Sequence, residues 1–420
     1  MKVFFLNQGI VVACMVLMAA CTKNVAHEPA SSILSSEKSE AAISSQSVAQ
    51  SLISLPGYQM IWNDEFDYTG LPDTAKWGNE IGHARGTELQ YYTARIENQS
   101  VSDGTLKIIA RKEAYNGYGY TAASLITRNK FSTAYGRIEA RLKLPLFQGS
   151  FPAFWTLGTN ISVYGWPYCG EIDIFEHLNT ENTIYGTAHW DNNQYMKSSG
   201  NTSTTVDQFH LYAIEWDENN IKWYVDNTLF KTFSIAGAAN GTWELHQPHY
   251  LLLNHAVGGD WPGHVVDDSK LPAAVEVDYV RVYKKNLLGN AGFENASLSP
   301  WGAWQPAGTA TVVTNNVQSG AKAIREQGGQ TSIEQVITGL KPNTTYIFGG
   351  YGKVSVAGQS AIIGAKNFGG AAINSSVTST TYQNSFVTFT TCASNTSVTV
   401  YFYKPSAGTV YGDDFYLYQK

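Results

Sequence analysis

The chain has 420 residues, enough for two or three domains with sizeable cores. A net charge of −6, with only 15% charged residues, argues against a nucleic-acid binder, which would carry a basic patch. Aromatic residues make up 13%, with 25 Tyr and 11 Trp, a composition that suits β-rich proteins stacking rings on sugar faces but also fits any secreted β-sandwich.

At the N-terminus, Lys2 precedes the apolar run GIVVACMVLMAA. The run is too short for a membrane span of about 20 residues but fits the core of a secretory signal. Ala19 and Ala20 before Cys21 resemble a bacterial lipobox, although Met18 stands where Leu is more usual. Residues 1–20 are therefore expected to be a lipoprotein signal peptide, with Cys21 lipidated and anchoring the chain to a membrane; an ordinary cleaved signal is the alternative. Thr22 is not the Asp that tends to retain lipoproteins at the inner membrane. The expected location is the outer membrane of a Gram-negative bacterium, on its periplasmic or cell-surface side. Residues 21–55 are rich in Ser, Ala and Gln and read as a flexible tether. Cys169 and Cys392 fall in different predicted domains and lack metal-ligand spacing, so both are expected as buried thiols.

From Tyr58 onward, strand-like runs recur between Gly, Asn and Asp turns: TLKIIAR, YGRIEARLKL, LYAIEW, IKWYVD and VEVDYVRVY. IKWYVD and TLFKTF, joined at Asp226 and Asn227, predict a hairpin. With no convincing helical periodicity, residues 56–285 read as one large β-sandwich. Beyond Lys284-Lys285-Asn286, Thr- and Val-rich runs such as TATVVT, TSIEQVITGL and TSVTVYFYK predict a second, smaller β-sandwich over 286–420.

Within the first domain, GEIDIFEH crowds Glu171, Asp173 and Glu176 into six positions. Glu171 and Asp173 share a strand face, whereas Glu176 has the wrong parity. One extra residue bulged out near Ile174-Phe175 would bring Glu176 onto the acidic face, and bulges are frequent beside active sites. Two carboxyls on one face suit a retaining glycosidase, which holds them about 5–5.5 Å apart as nucleophile and acid/base. Asp173 between them would help set unequal pKa values. Solvated decoration and Ca²⁺ binding remain open at this point, although like charges on one face repel and calcium loops are not apolar-alternating strands. Trp155, Trp166, Trp190 and Trp261 lie in Gly-rich contexts that suit sugar platforms, though a sandwich Trp is commonly core.

The stretches NDEF, ELQYYT, YGRIEARLKLP, PAFWTLG, CGEIDIFEH, YGTAHW, FHLYAIEW, LLLNHAVGGDWPG and VDYVRVY, in this order, resemble family 16 of the glycoside hydrolases, nearest its laminarinase-type endo-β-1,3-glucanases. The resemblance implies a concanavalin-A-like β-jelly roll with an open cleft. It also implies Glu171 as nucleophile, Glu176 as acid/base and Asp173 as their assistant. It places Trp155 on the cleft floor, His189 near the leaving-group side and Trp261 on a sugar on the nucleophile's side, with Trp166 and Asn254 as further substrate contacts; Trp190 is expected as a substrate contact from its Gly-rich context. Catalysis needs no cofactor; a structural Ca²⁺ is implied at Glu65, Gly104 and Asp278. Thr87, Ser150-Phe151, Phe175 and His255 depart from the family pattern, and positions 87 and 151 are expected to line the cleft. They leave the glycan open among β-1,3-glucan, mixed-linkage glucan and β-galactosides.

NLLGNAGFEN, PWGAW, IEQVITGLKPNTTYIFGGYGKV and YGDDFYLY resemble a carbohydrate-binding module of the family 4/9 type, also a β-jelly roll. This implies a structural Ca²⁺ at Glu294 and Asp414, with Trp301 and Trp304 either stacking on sugar or anchoring the module's core. The expected partner is a polysaccharide, a β-glucan first, with no nucleic acid and a monomeric chain. A non-catalytic surface glycan-binding lipoprotein is the rival from another class; it has no need of all three acids.

Overall fold

The computed structural model describes residues 55–295 and 297–420. The expected signal peptide, Cys21 and all but the last residue of the tether lie outside the described residues.

Alternation builds the strands. In Thr105–Tyr115, Leu106, Ile108 and Ala110 point into the core while Lys107 and Arg111 face outward. The predicted hairpin forms between Asn220–Val225 and Thr228–Ser234. Its two turn residues, Asp226 and Asn227, both have positive φ, 48° and 63°, the backbone that a two-residue turn requires.

The first domain is a sandwich of a ten-stranded and a seven-stranded sheet. The seven-stranded sheet runs, edge to edge, through Tyr195–Ser203, Thr183–Asp191, Glu171–His177, Ser150–Gly158, His249–Val257, Ser124–Ile126 and Gly78–Asn79. The acid strand Glu171–His177 lies in its middle, flanked by antiparallel partners. One face of this sheet, including Phe154, Ile172, Leu251 and Leu253, packs on the ten-stranded sheet to form the main core.

The second domain packs two five-stranded sheets around Phe348, Phe402 and Phe415. The junction residue Asn286 is tied to its last strand, donating to the Phe415 carbonyl (2.9 Å) and accepting from the Leu417 amide (3.0 Å). Cys169 is a buried free thiol as expected; Cys392 is also free but partly exposed, because it sits in a loop after Gln383–Thr390.

Candidate active site

The irregularity expected in the acid strand is present. Asp173 pairs with Trp155 on one neighbour and Phe175 with Phe154, so two residues of the acid strand oppose one. On the other neighbour, Asp173 pairs with Thr187 and Glu176 with Tyr185. Ile174 and Phe175 are both buried in the core, Phe175 packing on Tyr212, so the bulge spends two consecutive positions inward. Glu171, Asp173 and Glu176 then line the same cleft, about 570 Å³ in volume. The strand is held from below by Trp223, whose indole N–H crosses the core to the Asp173 carbonyl at 2.7 Å. Gly186 makes room for that ring: a Cβ there would lie 2.5 Å from it.

The two glutamates sit in unlike surroundings. Burial pushes Glu171 above the ordinary carboxylate range and Asp173 adds to this, while His189, Arg85 and the Trp166 N–H work against it. Glu176 is also held well above the ordinary carboxylate range, by burial and then by Asp173 and Glu171, with only Lys197 opposing. Trp166 donates to Glu171 Oε2 at 3.0 Å. His189 Nε2 lies 3.1 Å from Asp173 Oδ2 and 3.6 Å from Glu171 Oε1. Burial alone would lower its imidazole, but Asp173 and Glu171 outweigh that and hold it above its ordinary value. Its Nδ1 meets the Tyr195 hydroxyl at 2.7 Å, and the two rings stack.

The floor is a polar network. Trp155 Nε1 donates to Asn254 Oδ1 (2.7 Å), and Asn254 Nδ2 donates to the Tyr92 hydroxyl (3.0 Å). That hydroxyl and the Gln90 amide donate to Glu88. The Arg85 guanidinium lies 4.8 Å above the Trp155 ring and pairs with Glu80 at 2.6 Å. Glu80 also accepts from Ser124. Arg85, Glu80, Glu88 and Tyr195 escaped sequence reasoning. Glu88 opens ELQYYT, but no local spacing ties it to Arg85 or Trp155.

Trp155, Trp166 and Asn254 line the cleft with the acids. Trp261, half-exposed, packs edge-on against Phe151 and against Tyr185, the cross-strand neighbour of Glu176. Phe151 lines the cleft as expected; exposed Thr87 is not among its lining residues. Trp190 does not belong to the site. It is 3% exposed, packs on Phe233 in the core and donates to the Asn240 carbonyl. It follows His189 on a strand, so once His189 faces the cleft, Trp190 must face the core. His177 is structural, its Nε2 meeting the Glu181 carbonyl at 2.7 Å. His255 is buried against Ser150 and pushed down to about 4 by burial.

Glu65 and Asp278 do not fit the implied calcium site as carboxylate ligands. Glu65 is held by a two-pronged ion pair with Arg281 (2.7 and 2.9 Å) and Asp278 by Arg141 (2.6 Å), so guanidinium groups already supply the positive charge; Gly104 makes a positive-φ turn. In the second domain Glu294, Asp413 and Asp414 are neighbours, but their ligating atoms do not gather within 4.8 Å of one another. Glu294 accepts from the Ala321 and Lys322 amides, and Asp414 accepts from Ser319. Fully buried Asp413, unnamed by the sequence reading, accepts from the Gln318 amide. Burial and then Asp414 push Asp413 up to about 8; burial and the charge of Glu294 push Asp414 up as well. Asp413 is buried and Asp414 partly so, a chemistry that suits a hard cation, whereas Glu294 is exposed. Trp301 is core, packed on Phe293 and Phe415, whereas Trp304 is 49% exposed beside Tyr403. Among the described residues, Glu171, Asp173 and His189 are the one trio of ligand-type side chains whose ligating atoms lie within 4.8 Å of one another.

Residues 87–281 match the profile of the glycosyl hydrolases of family 16, and residues 285–409 that of a carbohydrate-binding domain. A keratan-sulfate endo-1,4-beta-galactosidase from Sphingobacterium multivorum is 41% identical over 91% of both chains. A beta-glucanase from Rhodothermus marinus is 43% identical, over 54% of this chain and 86% of its own. The X-ray structure of the laminarinase from Rhodothermus marinus superposes with a TM-score of 0.52 at 44% identity, covering 55% of this chain and 98% of that one.

Proposed function

This chain belongs to family 16 of the glycosyl hydrolases and carries a carbohydrate-binding domain behind its catalytic one; on that premise we propose that it is a retaining endo-β-glycosidase worked by Glu171 and Glu176. The observation that carries this reading is the bulge, which turns both glutamates and Asp173 into one cleft. The unequal surroundings of the pair support the division of roles. Glu171 faces a histidine, an arginine and an indole N–H, all of which favour its carboxylate, as a nucleophile needs. Glu176 has Lys197 alone to oppose its burial and its acidic neighbours, which favours the protonated form an acid needs.

In the first step Glu176 protonates the glycosidic oxygen while Glu171 attacks the anomeric carbon, forming a glycosyl ester and releasing the leaving sugar. Glu176, now a carboxylate, takes a proton from water, whose oxygen displaces Glu171 and leaves the configuration retained. Asp173, beside both, raises each glutamate and holds His189 in place.

Two substrate readings follow. Cleavage of β-galactosidic linkages has support across both domains, from the Sphingobacterium relative named for that activity. Cleavage of β-1,3-linked glucan has support from the catalytic domain, in the Rhodothermus beta-glucanase and laminarinase. Chromatography of the products from laminarin, mixed-linkage glucan and keratan sulfate separates them. Full hydrolysis of the preferred polymer by Glu171→Ala would overturn the mechanism.

In the second domain, Trp304 and Tyr403 would offer the sugar platform, and Glu294, Asp413 and Asp414 would hold a structural Ca²⁺. Export and lipid anchoring at Cys21 complete the reading: a membrane-tethered enzyme whose binding domain keeps polymer near the cleft.

A further inference from the structure

The cleft changes character from one edge of its sheet to the other. Tyr195 opens one edge strand and packs on Trp166 at 5.2 Å, so this side is aromatic. Towards the other edge, Arg128 lies two residues beyond the strand Ser124–Ile126, which pairs with the outermost strand Gly78–Asn79. The catalytic acids lie between.

Two arginines line the cleft, and they are not equivalent. Arg85 is neutralised by Glu80 at 2.6 Å, with Glu88 at 3.9 Å, and it covers the face of Trp155, so this part of the floor presents a guanidinium instead of a bare ring. Arg128 has no carboxylate within ion-pair distance among the described residues; its one contact is with the Tyr250 ring, 5.9 Å away. A neutral sugar laid over Arg128 would strip water from a charge and return no counter-charge. An oxyanion would match its planar fork with two parallel hydrogen bonds.

We propose that this side of the cleft selects glycans bearing an oxyanion, a sulfate ester or a carboxylate, through Arg128. The inference rests on the glycosidase reading and narrows its substrate class.

The test compares the full chain with Arg128→Ala and Arg128→Lys on matched polymers: keratan sulfate against its chemically desulfated form, and laminarin oxidised at C6 to carboxylates against laminarin. The quantity read is the ratio of kcat/KM for the charged over the uncharged polymer. In the unaltered chain the ratio exceeds one for at least one pair and falls as salt is added. Arg128→Ala lowers that ratio by about tenfold, the scale of one charge-assisted hydrogen bond, and Arg128→Lys restores part of it. The pair that responds tells sulfate from carboxylate. A ratio unmoved by Arg128→Ala, or below one for both pairs, overturns the proposal. If no polymer is cleaved, the glycosidase reading fails separately, and retention of the same polymers in affinity gels reads the same ratio without turnover.

Discussion

Trp166→Phe removes one indole N–H from Glu171 and keeps an aromatic ring at the cleft rim. The bond lost is 3.0 Å long and ends on Glu171 Oε2. Hydrogen bonds to charged groups contribute about 1.5–3 kcal/mol, and because Trp166 is half-exposed, water will replace part of this, leaving roughly 1–1.5 kcal/mol. The loss falls on the carboxylate form, so the Glu171 pKa rises, by about one unit at 1.36 kcal/mol per unit. A nucleophile must be ionised. The acid limb of kcat/KM, which reports the free enzyme, should therefore shift to higher pH by about one unit, with a drop of about tenfold on that limb and little change on the plateau. Release of reducing ends from the preferred polysaccharide, followed across pH, provides the assay, with Trp166→Ala marking the additional loss of the ring. If KM rises while the acid limb stays in place, Trp166 is only a sugar platform and its donation to Glu171 carries no catalytic weight.

Glu326 is fully buried in the second domain, neither carboxylate oxygen meets a hydrogen-bond donor among the described residues, and burial holds it well above 4.5 despite Lys404. A raised acid is protonated in the folded state, so it costs nothing below its ordinary value and erodes stability as pH climbs beyond it. Glu326→Gln should add about 1–3 kcal/mol near neutral pH and little in acid, read by urea denaturation; parallel pH profiles for the two chains would refute this. Trp304→Ala should weaken retention in a polysaccharide gel by about 3- to 10-fold while hydrolysis of short soluble oligosaccharides is unaffected; equal retention would move the binding face elsewhere. Calcium should raise the melting temperature of the second domain and a chelator lower it, by a margin lost in Asp413→Asn; melting indifferent to both would empty the proposed site. Trp190→Ala should destabilise the first domain by about 3–5 kcal/mol in denaturant titration, whereas a surface platform would cost almost nothing.

What the sequence made legible was local. Parity along Glu171–His177 required an irregularity, and the register supplies it between Asp173 and Phe175. Asp226-Asn227 identified a hairpin because positive φ at two successive positions has few solutions. The same parity, applied to His189-Trp190, already forbade both residues from facing the cleft; reading them as a motif hid that. The failures elsewhere were of long range. Arg85 reaches Trp155 across 70 positions of chain, and Arg141 and Arg281 take Asp278 and Glu65 out of play from other positions in the sheet. No spacing records such encounters. Trp301 and Trp304, three apart, part company because one sits before a short edge strand and the other ends it.

The bulge in the acid strand separates two ways of counting. From Glu171 to Glu176 the chain advances five residues, but each neighbouring strand advances four, from His189 to Tyr185 and from Leu157 to Ala153. The sheet therefore reads an odd interval as an even one. Removing Ile174 would leave EIDFEH, a regular strand with the same three acids on the same face and Phe175 still inward, whereas removing Ile172 would set Glu171 and Asp173 on opposite faces. Single-residue deletions, destructive almost anywhere else in a buried strand, keep the acids on one face here only at the two bulge positions, 174 and 175. The extra residue serves the aim of the side chains, not their sidedness, and a functional deletion variant at position 174 would mark how much of that aim the chemistry requires.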